Sequence, residues 1–149
     1  MTEAAQDLEG AQVVAEARLW LGTPYRHQGT RRGVGCDCLG LVRGIFRTLY
    51  GSEPEEPGPY LADWAERGAG ERLIAAAGRH LVAVEGLGAG RAGDLLVFRF
   101  RDGLPAKHCG ILEDQGHFIH AYEQAGVVRS ALVPAWRRRV AGVFRFPPR

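Results

Sequence analysis

Residues 35–51 read GCDCLGLVRGIFRTLYG, and this stretch predicts a helix that begins beside a cysteine. Asp37 is a residue type favoured at helix N-caps, and Gly51 is favoured just after a helix ends. Between them apolar residues recur every three or four positions, as on the buried face of a helix: Leu39, Val42, Ile45, Phe46 and Leu49. Cys38 therefore stands in the first turn, where unpaired backbone N–H groups and the helix dipole favour a thiolate.

Helical and polar segments surround this helix in the N-terminal half. Apolar residues at helical spacing predict an earlier helix over residues 11–21, after a polar N-terminal extension formed by residues 1–10. Residues 23–35 are rich in glycine and arginine and predict an exposed loop. Residues 51–59 predict a connection, and residues 61–81 predict one or two shorter helices interrupted by glycines.

The C-terminal half has a different character, with short β-rich segments separated by Gly, Pro and Asp. These segments are residues 95–100, 109–112, 118–122, 127–130 and 140–146. Helices followed by consecutive strands predict an α+β fold with an antiparallel sheet rather than an alternating α/β fold. A chain of 149 residues is long enough for one core, so we expect a single domain over residues 1–149.

Composition excludes several functional classes. The net charge is only +2, which gives no electrostatic reason to expect nucleic acid as a partner. No stretch approaches the roughly 18 apolar residues of a membrane span, and the first ten residues do not resemble a secretory signal. We therefore expect synthesis in the cytoplasm as a soluble protein. Three cysteines, an odd number, argue against a disulfide framework.

The hairpin over residues 107–122 predicts how two histidines are arranged. If Asp114, Gln115 and Gly116 form a three-residue loop, His108 and His120 lie on one face as diagonal neighbours. A two-residue loop would shift the register and separate them. In the three-residue register Cys109 points to the core, so its replacement is expected to affect stability and leave turnover largely intact.

A cysteine, a base and a third group that orients the base form the arrangement that thiol hydrolysis requires. Cys38, His108 and His120 fit these three roles. Each histidine alone is more often a surface or core residue, so the argument depends on the shared face.

The same residues resemble the successive motifs of the NlpC-type cell-wall cysteine peptidases. These motifs are Gly22-Thr23-Pro24-Tyr25, Asp37-Cys38-Leu39-Gly40-Leu41-Val42, Gly93-Asp94-Leu95, His108-Cys109-Gly110-Ile111 and Ile119-His120-Ala121. Each motif is weak by itself, but five in the family's order and approximate spacing are rather specific. The resemblance extends from about residue 11 to the C-terminus.

This resemblance implies a papain-like α+β fold, without a cofactor, in which Cys38 is the nucleophile, His108 the base and His120 the residue that orients the imidazole. Tyr25 matches the tyrosine that supports the oxyanion site. Asp37 matches the family's acid before the cysteine, and we interpret it as a helix cap. The implied substrate is the stem peptide of peptidoglycan, commonly at the bond between D-glutamate and the diamino acid.

Three loop arginines and the C-terminal segment suggest finer assignments. Arg26, Arg31 and Arg32 could bind the carboxylates of a stem peptide, although a solvated loop explains them as well. Leu39 and the segment from Ala135 onward look most like the short peptidases of phage tails and gene transfer agents. Tail or baseplate hub proteins would then be partners, and a tail would carry the enzyme to the periplasm or cell wall.

Other functions are compatible with the same residues. Cys36, Cys38, Cys109, His108 and His120 supply enough ligands for a zinc site, but a C-x-C pair is not the usual spacing and the adjacent His108 and Cys109 point to opposite faces of a strand. A non-catalytic tail assembly module is a third possibility. An amidase or acyltransferase could use the same cysteine and histidine.

Overall fold

The structure is a computed structural model that describes residues 3–55 and 71–148. Within these ranges, α1 (Glu3–Leu19) precedes a two-stranded sheet of β1 (Thr30–Arg31) and β2 (Gly35–Cys36), and α2 (Cys38–Tyr50) follows directly. After the gap come α3 (Arg72–His80), β3 (Val82–Val84), a 3-10 turn (Leu87–Ala89), β4 (Leu95–Phe98), β5 (His108–Asp114), β6 (His117–Tyr122), β7 (Gly126–Ala131), α4 (Pro134–Arg137) and β8 (Val140–Arg145). This arrangement confirms the predicted α+β class.

The main sheet has six strands in the order β3-β8-β4-β5-β6-β7, and every neighbouring pair is antiparallel. One face packs against α1 and α2 and forms the larger apolar core, which includes Trp20, Leu41, Ile45 and Ile119. The other face carries a smaller cluster around Phe98 and Phe118, partly covered by Trp136 of α4. The site described below lies where α2 meets β5 and β6.

The predicted helices differ from the observed ones mainly at their ends. The helix predicted over residues 11–21 begins at Glu3, because Ala, Glu and Gln in its first turns favour helix without contributing an apolar period. α2 begins and ends as predicted, with Asp37 as N-cap and Gly51 in the left-handed conformation at its end. α3 confirms the last part of the helical prediction over residues 61–81, while residues 61–70 lie outside the described residues.

The β5–β6 hairpin corrects the predicted turn and keeps the predicted face. Asp114 pairs with His117, so the loop has two residues rather than three. The Asp114 carboxylate accepts a hydrogen bond from the Gly116 N–H at 2.8 Å, which closes this tighter turn. A bulge at Glu113 adds one residue to β5 and cancels the register shift, so Leu112 still pairs with Phe118.

The Gly93-Asp94-Leu95 motif has a structural role at the beginning of β4. Asp94 is buried and accepts hydrogen bonds from the backbone N–H of Arg91 at 2.8 Å and from the Arg145 guanidinium at 2.9 Å. This carboxylate therefore connects the turn before β4 to the neighbouring strand β8.

In the part of the chain that the structure describes, no helix is long and apolar enough to cross a membrane.

Candidate active site

The start of α2 places Cys38 against the sheet. Asp37 caps the helix: its Oδ1 accepts a hydrogen bond from the Gly40 N–H at 2.7 Å, and its Oδ2 accepts one from the Gln28 N–H at 2.8 Å. The buried carboxylate thus holds both the helix start and the preceding loop. This is the capping role predicted for Asp37 from its position.

Gly40 allows the preceding loop to pass close to the first turn of α2. A Cβ at this position would overlap the carbonyl oxygen of Gly29. Thr30 strengthens the same contact, because its hydroxyl donates a hydrogen bond to the Gly40 carbonyl at 2.6 Å. The glycine two residues after Cys38 is therefore required by the close approach of the backbone.

The structure brings His108 and His120 into direct contact. His108 Nε2 lies 2.8 Å from His120 Nδ1, and His120 Nε2 lies 2.8 Å from the Ser130 hydroxyl. Burial, and then the charge of His108, lower the pKa of His120 to about 3, so its ring is neutral at pH 7. A neutral ring that donates from Nε2 to Ser130 can accept the His108 proton at Nδ1.

This arrangement leaves Nδ1 of His108 free of His120, and the His108 imidazole acts on the Cys38 thiol by lowering its pKa. The Cys38 side chain is nearly buried, at 8% exposure. A hydrogen bond with the Cys109 thiol, followed by the bond and the charge of His108, lowers the pKa of Cys38 to about 5, although burial acts in the opposite direction. A pKa this low favours the thiolate at neutral pH, and the thiolate is the nucleophilic form of a cysteine.

The other two cysteines are poor nucleophiles. Burial, with a smaller effect of the Asp37 charge, raises the pKa of Cys36 to about 12. The pKa of Cys109 also lies well above its usual value, first because of its hydrogen bond with Cys38 and then because of burial. All three cysteines are free. Among them, only Cys38 has a lowered pKa.

Tyr25 lies beside the same thiolate. It is half-buried and forms an isolated bridge with Cys36, next to the N-terminus of α2. Burial, and then the negative charge of Cys38, raise the pKa of Tyr25, so its hydroxyl stays protonated and can donate a hydrogen bond. Its place is compatible with the oxyanion role that the resemblance implies.

The three loop arginines stay at the surface. Arg26, Arg31 and Arg32 are exposed, and within the described residues no hydrogen bond or ion pair joins them to Cys38, His108 or His120. Arg32 lies 3.9 Å from Glu16 of α1. A substrate contact by these residues remains a prediction.

The sequence analysis missed two features of the site. Ser130, the partner of His120, belongs to β7, and its place follows from the β6–β7 pairing of His120 with Val128. Trp136 was noted only for its resemblance to a subgroup, yet its ring centre lies 6.0 Å from that of His108 and 5.3 Å from that of His120. An aromatic wall of this kind limits the access of water to both imidazoles.

Metal binding has little support in this geometry. Among residues 3–55 and 71–148, no group of three or more His, Cys, Asp or Glu side chains is arranged to hold a metal ion. His108, His120 and Ser130 instead form a linear series of hydrogen bonds, and His108 lowers the pKa of the Cys38 thiol. Such a series can ionise a thiol and return a proton to a leaving group.

Comparisons with known proteins agree with this arrangement. The model of the NlpC/P60 family matches residues 22–145. The Probable endopeptidase NlpC of Escherichia coli (strain K12) is 35% identical over 115 residues, which cover 76% of this chain and 62% of that protein. Gamma-DL-glutamyl hydrolase of Bacillus subtilis (strain 168) is 30% identical over 137 residues, which cover 90% of this chain and 29% of that protein.

The chain thus spans 62% and 29% of the lengths of these two relatives. Among solved structures, the NlpC/p60 domain of the peptidoglycan hydrolase SagA superposes with a TM-score of 0.62 at 24% identity. The match covers 92% of this chain and 98% of that one, which establishes a common fold.

Proposed function

The chain belongs to the NlpC/P60 family, and we propose that it is a cysteine peptidase that hydrolyses peptide bonds in the stem peptide of peptidoglycan. The observation that carries this proposal is the hydrogen-bonded series His108–His120–Ser130, with two distances of 2.8 Å. Its first member, His108, helps to lower the pKa of the Cys38 thiol to about 5.

The reaction that this site supports has two stages. The Cys38 thiolate attacks the scissile carbonyl carbon, and backbone N–H groups at the start of α2, together with the Tyr25 hydroxyl, stabilise the oxyanion. His108 then donates a proton to the leaving amine as the C–N bond breaks, leaving an acyl-enzyme. In the second stage His108 accepts a proton from water, which attacks the thioester and releases the acid and the thiolate.

His120 holds His108 in the orientation that both stages need. Because its own ring is neutral, it accepts the Nε2 proton of His108 at Nδ1 and leaves Nδ1 of His108 to exchange protons at the reaction centre. Ser130 fixes the tautomer of His120 by accepting its other ring proton. Ser130 is thus a positioning residue of the proposed mechanism.

The bond that we propose as the target joins D-glutamate to the diamino acid. The similarity to a gamma-DL-glutamyl hydrolase supports this choice. We also propose that the protein acts in the periplasm or cell wall as part of a phage-like tail, with baseplate hub proteins as partners. Co-purification with tail particles, measured with an antibody against this chain, tests that setting.

Mass spectrometry of purified peptidoglycan after digestion tests the reaction, the substrate and the nucleophile together. We expect fragments with new D-glutamate and diamino acid ends from the wild type and from Cys36→Ala, and none from Cys38→Ala. Intact stem peptides after treatment with active wild type would refute the proposed substrate. Fragments released by removal of the sugar, or by acyl transfer to an added amine, would favour the amidase or acyltransferase alternative.

A further inference from the structure

The loop between β4 and β5 and the segment around α4 enclose a basic cavity beside the candidate active site. The cavity has a volume of about 550 Å³, and its lining includes Arg99, Phe100, Arg101, Asp102, Arg138 and Arg139. Four arginines thus face it together with one aspartate. A concave surface with this excess of positive charge favours a negatively charged ligand.

Two of these arginines hold the walls of the basic cavity. Arg99 donates a hydrogen bond to the Glu71 carboxylate, which also accepts one from the Ala106 N–H at 2.8 Å. Arg139 donates to the Phe100 carbonyl at 3.3 Å, and its own carbonyl accepts a hydrogen bond from the Arg99 N–H at 2.7 Å. These contacts fix both ends of the loop before β5 and join it to the residue that precedes β8.

The other two arginines of the lining are available to a ligand. Arg101 and Arg138 are exposed, and within residues 3–55 and 71–148 neither side chain forms a hydrogen bond or an ion pair, with Asp102 or with any other residue. A guanidinium group binds a carboxylate through two parallel hydrogen bonds. Two such groups beside one cavity can therefore bind a carboxylate without first breaking a contact within the protein.

The basic cavity adjoins the catalytic histidine through Phe100. The Phe100 ring is stacked on the His108 ring with their centres 5.6 Å apart, and it lies 6.2 Å from the ring of Trp136. The Lys107 ammonium lies 5.5 Å from the centre of the same Phe100 ring, and the Lys107 carbonyl lies 3.8 Å from Cys38 Sγ. Because an extended peptide spans about 3.5 Å per residue, a peptide bound at Cys38 can reach the cavity within a few residues.

We propose that Arg101 and Arg138 bind a carboxylate of the stem peptide and thereby determine specificity for peptides in which this carboxylate is free. The inference rests on the proposed function, which places a stem peptide beside Cys38. Glutamate has two carboxyl groups and only one enters the bond to the diamino acid, so the other carries a negative charge next to the scissile bond. The C-terminal carboxylate of the peptide is a second anionic group.

The test is a double-mutant cycle between the arginines and the carboxylates of a synthetic stem peptide. Calorimetry measures the Kd of this peptide, and of analogues in which each carboxylate in turn is an amide, for protein carrying Cys38→Ala, which leaves the peptide intact. We expect one analogue to bind about fivefold more weakly than the unmodified peptide. Adding Arg101→Gln or Arg138→Gln should weaken binding of the unmodified peptide by a similar factor. In these variants the same amide should have little further effect, because the contact is already lost.

Arg72→Gln provides the control, because Arg72 is an exposed arginine of α3 that does not line the basic cavity. It changes the net charge equally and should leave the Kd unchanged. The inference is overturned by no measurable binding, by equal Kd values for all the peptides, or by effects of the amide and of the arginine variants that simply add. If the peptide binds with the expected coupling but the wild type does not cleave it, the proposed peptidase activity is wrong and the carboxylate site stands.

Discussion

Replacement of His120 by glutamine should remove a pH dependence of stability that the buried ring creates. The pKa of His120 falls from 6.5 to about 3 in the folded protein, mainly because burial disfavours the charged ring. Below pH 6.5 the unfolded chain binds a proton that the folded protein does not bind. The free energy of unfolding therefore decreases as the pH falls from 6.5 toward 3.

The size of this effect follows from the pKa shift. Each pH unit between the two pKa values costs about 1.4 kcal/mol, so at pH 4.5 the wild type should lose about 3 kcal/mol relative to pH 7 through this group. His120→Gln lacks the titrating ring, while its acidic groups titrate as in the wild type. The difference in unfolding free energy between the two proteins should thus change by about 3 kcal/mol over this range.

Urea unfolding followed by tryptophan fluorescence, at several pH values between 7 and 4.5, measures this difference. Parallel pH profiles for wild type and His120→Gln would show that His120 is not buried as a neutral ring, and the proposed orientation of His108 would lose its basis.

The remaining predictions concern reactivity, folding and turnover. At neutral pH, iodoacetamide should modify Cys38 far faster than Cys36, whose pKa is about 12. If Cys36 is labelled faster and its replacement abolishes turnover, Cys36 and not Cys38 is the nucleophile. Gly40→Ala should lower the thermal midpoint strongly, since the added Cβ would overlap the preceding loop. In the control variant Gly78→Ala on α3, the added Cβ meets nothing within 4 Å, so the thermal midpoint should stay unchanged or rise slightly. Equal thermal midpoints in the two variants would contradict the close packing at Gly40. His120→Asn should retain much of the activity and His120→Ala should lose roughly 10- to 100-fold, and full activity in His120→Ala would show that this residue only lines the cleft.

Much of the fold could be predicted from interactions between residues that are close in the sequence. Asp37 and Gly51 predicted both ends of α2 because caps satisfy backbone groups of the same helix. The strand segments of the C-terminal half were found from composition and from the residues that separate them. The long polar start of α1 and the short β3 and α4 were missed, because none of these segments carries an apolar period of its own.

The turn and the bulge of the β5–β6 hairpin could not be predicted from local sequence. Asp114 closes a two-residue loop, which on its own would have placed the two histidines on opposite faces. The bulge at Glu113 restores the shared face, and this carboxylate is held by Arg18 of α1 and Arg129 of β7. Those partners lie 95 and 16 residues away. These ion-pair partners of Glu113 therefore cannot be identified from the hairpin sequence alone.

The sequence by itself determined that a cysteine begins a capped helix and that two histidines occupy one hairpin, because capping and strand alternation depend on neighbours in the chain. The meeting of Cys109 with Cys38, and of Ser130 with His120, depended on tertiary packing. Each contact joins separate elements, so it depends on how α2 approaches the sheet and on how β6 pairs with β7. The ionisation of Cys38 and the tautomer of His120 follow from those contacts, since desolvation and hydrogen bonding act only between groups that folding has brought together.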